Sequence, residues 1–68
     1  MKKYRLTKTE LEKLIEEKII GLHAERNKEI VKDKLFVGLT IQQIAEKHNL
    51  SETRTKTVIR TFKRIVGL

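Results

Sequence analysis

Proline is absent from this chain, and glycine stands at only three places, 21, 38 and 67. A glycine takes up the positive φ that ends a helix at little steric cost. No stretch shows the period-two alternation of a half-buried strand, and the chain reads as helices joined by short turns. The chain is therefore predicted to be all-α, a single helical domain over residues 1–68 with three or four helices. Its elements are placed at about 7–22, 27–37 and 40–66, the last being a helix-turn-helix.

Start signals sharpen these bounds. Thr7 with Glu10, and Thr9 with Glu12, both fit the Ser/Thr-x-x-Glu capping box. Leu11, Leu14, Ile15, Ile19 and Leu22 then follow at helical spacing and form one apolar stripe. Lys13 and Glu17 are spaced as an i,i+4 pair on the outer face. Beyond Leu22 the stripe fails, because Glu25, Arg26 and Glu29 fall where apolar residues should continue. A break near His23–Asn27 is expected, with Asn27 capping a second helix lined by Ile30, Val31, Leu35 and Phe36. One long bent helix from Thr9 to Val37 is the alternative.

Past Gly38 the punctuation is denser. Gly38 suits a left-handed helix end, with Leu39 packing behind it. Thr40 with Gln43 forms another capping box, and Ile41, Ile44 and Ala45 supply an inner face. Asn49 tolerates positive φ, Leu50 anchors the turn in the core, and Ser51 caps a last helix closing at Gly67. A small residue, a positive-φ residue four places on, an aliphatic one and a cap together turn a corner of about 90–120°.

The stretch from Gly38 to Ser51, GLTIQQIAEKHNLS, resembles the first helix and turn of bacterial helix-turn-helix regulators. It is closest to the pattern of small transcription factors and of sigma-factor region 4. The resemblance covers residues 38–66. It departs from the pattern at Asn49, where glycine is usual, and at Thr55, where valine or isoleucine normally faces the core.

Charge points the same way. The chain carries 16 Lys and Arg against 9 Asp and Glu, a net charge of +7. Five basic residues and one acid lie from Ser51 onward, a local charge of +4. Such an excess attracts polyanions through counterion release. On a helical wheel of the last helix, Val58, Ile59, Phe62, Ile65 and Val66 turn inward.

The resemblance implies that helix 52–66 enters the major groove of double-stranded DNA. Glu52, Thr53, Lys56, Thr57 and Arg60 are then the base-contacting candidates. Thr40, Ser51, Arg54, Lys63 and Arg64 are the backbone-contacting ones, Thr40 and Ser51 through helix N-termini. The N-terminal Lys2, Lys3 and Arg5 could trail along a backbone as an arm, although a frayed terminus is the plainer reading. The stripe Leu11, Leu14, Ile15, Ile19, Leu22 serves either as core or as the face of a homodimer on a two-fold site.

Other chemistries lack their residues. Without cysteine there is no disulfide, thiolate metal site or cysteine nucleophile. His23 and His48 have no ligand-spaced partners and read as surface histidines; no metal or other cofactor is expected. No catalytic triad or phosphate-cradling glycine loop is present, so neither an enzyme nor a small-molecule ligand is expected. No apolar run approaches the roughly 20 residues of a membrane span, and the expected location is the cytoplasm.

The expected function is sequence-specific regulation of transcription, and the small size suits a bacterial, phage- or plasmid-borne regulator. One alternative is a module that grips RNA polymerase or another regulator. A second is an architectural or excision accessory protein of mobile DNA. RNA binding ranks lower, because aromatics for base stacking are scarce.

Overall fold

The computed structural model describes residues 6–67, and the described residues form an all-α fold of four helices. They are α1 (Lys8–Lys18), α2 (Ala24–Lys32), α3 (Ile41–His48) and α4 (Glu52–Val66). A π-helical turn, Asp33–Val37, continues α2 directly. The arm residues Lys2, Lys3 and Arg5 lie outside the described residues.

Of the two capping boxes at the start, the chain uses the first. Thr7 Oγ1 accepts from the Glu10 N–H at 3.1 Å, and Glu10 Oε1 accepts from the Thr7 N–H at 2.9 Å. The first helix ends at Lys18, not at Leu22 as expected, because Ile19 adopts an extended backbone (φ −96°, ψ 105°). That conformation keeps Ile19 buried while Gly21, at φ 106°, reverses the chain. The single bent helix is thereby ruled out. Asn27 is not the cap of the second helix, which starts three residues earlier behind His23 with no side-chain cap. The reversal lies four residues earlier than the expected break at His23–Asn27, because Gly21 at positive φ turns the chain there.

Two connected clusters make the core. Ile15, Ile19, Val31 and Phe62 form one, with Leu11, Leu14, Leu35, Phe36 and Val66 packed against it. Ile30, Ile44 and Ile59 form the other, with Leu39, Ile41 and Leu50 around it. Val58 touches both, so α4 is the element on which all the others pack. Of the five stripe residues offered as a dimer face, Ile15 and Ile19 are buried and Leu11 and Leu14 are half-buried. Only Leu22 is exposed, at 92%. In this structure the stripe supplies the chain's own core.

Ion pairs close the α1–α2 face. Glu16 takes Lys28 at 2.9 Å and Lys32 at 3.5 Å, across the helix pair. The Lys28 hydrogen bond holds the Glu16 carboxyl below its ordinary range, and Glu16 in turn raises Lys28. Among the described residues the predicted Lys13–Glu17 pair is not formed. At the start of α1, the Lys8 ammonium sits 5.5 Å from the Phe36 ring centre and so contacts the π turn.

Candidate nucleic-acid interface

The corner between α3 and α4 is built as its residues predict. Thr40 and Gln43 form a reciprocal capping box with bonds of 2.9 and 3.1 Å. Asn49 closes α3 at φ 56°, the one non-glycine residue of positive φ among those described. Ser51 Oγ accepts the Arg54 N–H at 3.0 Å and starts α4. Ala45 is buried, and Leu50 packs into the second cluster, so the turn is pinned from inside.

Thr55, the departure from the regulator pattern, neither loosens α4 nor shifts its register. Its side chain is fully buried, and its hydroxyl donates to the Ser51 carbonyl at 3.0 Å. A threonine can stand in an apolar site on these terms, because its one polar atom is satisfied within its own helix. Ile65 departs from expectation in the opposite direction. The helical wheel turns it inward, yet it is 52% exposed, because it lies at the edge of the buried arc in the last turn of α4.

His48 corrects the surface reading. Its ring Nε2 lies 3.1 Å from Asp33 Oδ2, and both side chains are nearly buried. Lys47 Nζ donates to Asp33 Oδ1 at 3.1 Å, and that hydrogen bond raises the Lys47 ammonium above its ordinary range. Asp33 also accepts the Gly38 and Leu39 N–H groups on its carbonyl, at 2.8 and 3.1 Å. One residue thus closes the π turn and clamps the end of α3, which fixes the corner against α2. No sequence signal found this pairing, because 15 positions separate Asp33 from His48.

The corner leaves the predicted face of α4 in solvent. Glu52, Thr53, Lys56, Thr57 and Arg60 are all exposed, as are Thr40, Ser51, Arg54 and Arg64, while Lys63 is half-buried. Among the described residues none of Arg54, Lys56, Arg60, Lys63 and Arg64 enters an ion pair. The acids that do pair, Glu16, Glu25, Glu29 and Asp33, lie on α1, α2 and the π turn. Among the described residues the positive charge of α4 therefore has no ion-pair partner.

The structure divides these candidates between two sides of α4. Lys56, Arg60 and Lys63 line a groove against Ile41, and Lys34 of the π turn joins them. Sequence reading missed Lys34, since it stands 22 residues before Lys56 and shares no periodicity with α4. Arg54 and Thr57 face the opposite groove, toward the α1–α2 linker. Lys63 shares its groove with residues assigned to base contact, so the base and backbone sets interleave in space.

Some candidate groups are already committed. The Thr57 hydroxyl donates to the Thr53 carbonyl at 2.9 Å, so its hydrogen is already used within α4. The Thr40 N–H is taken by Gln43, and the Thr40 and Ser51 oxygens accept cap bonds. Their hydroxyl hydrogens remain available as donors.

Among the described residues no cluster of three or more His, Cys, Asp or Glu is placed to hold a metal ion. No helix among them is long and apolar enough to cross a membrane. No family model matches the chain, and no curated protein or solved structure is significantly similar to it.

Proposed function

We propose that this chain belongs to the helix-turn-helix class of double-stranded DNA-binding proteins and regulates transcription by laying α4 in the major groove. One observation carries the reading. The capped corner at Asn49–Ser51 exposes a helix whose cations have no acidic partner among the described residues, while their acidic counterparts pair elsewhere. A solvated face on an ordinary helical protein gains from internal pairing; an unpaired basic face suits a polyanion that supplies the counter-charge.

On this reading Thr53, Lys56, Thr57 and Arg60 meet base edges, with Glu52 at the helix tip able to accept from cytosine. Arg54, Lys63 and Arg64 lie toward the phosphates, and Lys34 extends the phosphate contacts beyond the helix-turn-helix.

Selection of bound duplexes from a random pool, followed by titration of the winner against salt, tests the reading. An enriched motif is expected. With about five phosphates neutralised, log K should fall against log[salt] with a slope of roughly −4 to −5. Failure to bind any duplex at low salt, or binding with no enriched motif, would overturn sequence-specific regulation.

A further inference from the structure

A second groove, on the other side of α4, combines apolar surface with positive charge and shares only Arg54 and Thr57 with the proposed DNA-contacting set. It lies between α4 and the α1–α2 linker and has a volume of about 340 Å³. The buried Phe62 and the exposed Ile20 and Ile65 supply its apolar lining, and Lys18, Arg26 and Arg54 its charged one. Among the described residues no acidic one lines it. Among the described residues none of the three cations is in an ion pair. Arg26 is held instead by two 3.3 Å hydrogen bonds to the Asn27 amide oxygen, which steers its guanidinium without neutralising it.

Apart from Phe62, the apolar residues named here belong to neither core cluster. Ile20 is 78% exposed, and Leu22, two residues along the same linker, is 92% exposed. A reversal through Gly21 needs no aliphatic side chain on either side of the glycine, and polar residues there would be better solvated.

From this pairing of apolar lining with unpartnered positive charge, we infer that the groove docks an acidic amphipathic helix of a partner protein. Apolar side chains at helical spacing fill the strip along Ile20, Phe62 and Ile65. The partner's carboxylates meet Lys18, Arg26 and Arg54. A second copy of the chain does not fit. Its own acid-rich helix, α1, already buries its apolar stripe against Val31 and Phe62, and two chains of charge +7 repel. A phosphate backbone would use the cations but leave the aliphatic lining unexplained.

The test is a displayed library of random sixteen-residue peptides panned against the full chain, with the enriched peptide then synthesised and labelled for fluorescence anisotropy. Enriched peptides should carry Asp and Glu with apolar residues three or four apart. Ile65→Asp and Ile20→Asp alter exposed side chains, so circular dichroism should show the helical fold retained. Each should weaken the peptide by about tenfold or more. Arg26→Glu should weaken it comparably, and the peptide should shift the methyl resonances of Ile20 and Ile65.

Three results would overturn the proposal. One is the absence of any enriched peptide. Another is binding that survives both isoleucine changes and is lost instead with Lys56→Glu and Lys63→Glu, which would reduce it to general attraction by the α4 face. The third is sedimentation showing a self-associated chain that Ile65→Asp disperses, which would make a second copy the occupant. Ile20, Ile65 and Arg26 lie outside the proposed DNA-contacting set, so duplex binding by the same variants tells failure of this proposal from failure of the DNA reading.

Discussion

Asp33 and Asn49 show how much of a small fold rests on single side chains. Asp33 gathers Lys47 and His48 at one end of α3 while its carbonyl closes the π turn. Asn49 holds the corner at φ 56°, a region that costs an ordinary residue about 1–2 kcal/mol. Asn49→Val should therefore destabilise the fold by about 1–2 kcal/mol, whereas Asn49→Gly should leave it within about 0.5 kcal/mol. Thermal denaturation followed by circular dichroism measures both. Equal melting of the two variants would show that backbone conformation is not what asparagine contributes there. Asn49 was legible in the sequence, because positive φ is a local property of residue type. The clamp at Asp33 was not, because a carboxylate in a run of lysines and leucines carries no mark of its distant histidine.

The helices differ in what holds them. α1 and α2 are joined by the Glu16 ion pairs as well as by the core, and the depressed Glu16 carboxyl ties that union to pH. A group whose folded pKa lies below its ordinary value of 4.5 contributes stability above that value, and the contribution fades as pH falls through the folded pKa. The melting temperature of the wild-type chain should exceed that of Glu16→Gln at neutral pH, and the two should converge below pH 4.5. Because the pair is solvent-exposed, added salt should narrow the gap too. α4 has a different dependence, since its cations lack internal partners among the described residues. If it reads DNA as proposed, Arg60→Ala should cost roughly 1–3 kcal/mol on the selected duplex and relax specificity at one position. Lys63→Ala should weaken selected and random duplexes alike. Equal loss on both duplexes from both changes would remove Arg60 from the base-reading set. The starts of α3 and α4 could be read from Thr40, Gln43, Asn49 and Ser51 because caps are local chemistry. The end of α1 could not, since Ile19 completes the apolar spacing of a helix it has already left.

At the scale of the molecule, α4 is both the central packing element and the exposed basic face. Phe62 belongs to the cluster of Ile15, Ile19 and Val31, so the helix-turn-helix lacks half its core without α1 and α2. A fragment of residues 38–67 should accordingly show little helix by circular dichroism and bind no duplex. A cooperative melt from that fragment would show the corner to be self-sufficient. The sequence by itself determined the all-α class, the capped corner and the concentration of positive charge on the last helix. Each of these follows from residue type, spacing of a few positions or simple counting. Only the tertiary structure decided that the Leu11–Ile19 stripe faces inward, that Asp33 grips His48, that Lys34 joins Lys56 and Arg60, and that Ile20 and Ile65 stay in solvent. Those outcomes depend on how helices far apart in the chain meet, and the free energy of such meetings is shared among surfaces that no local pattern encodes.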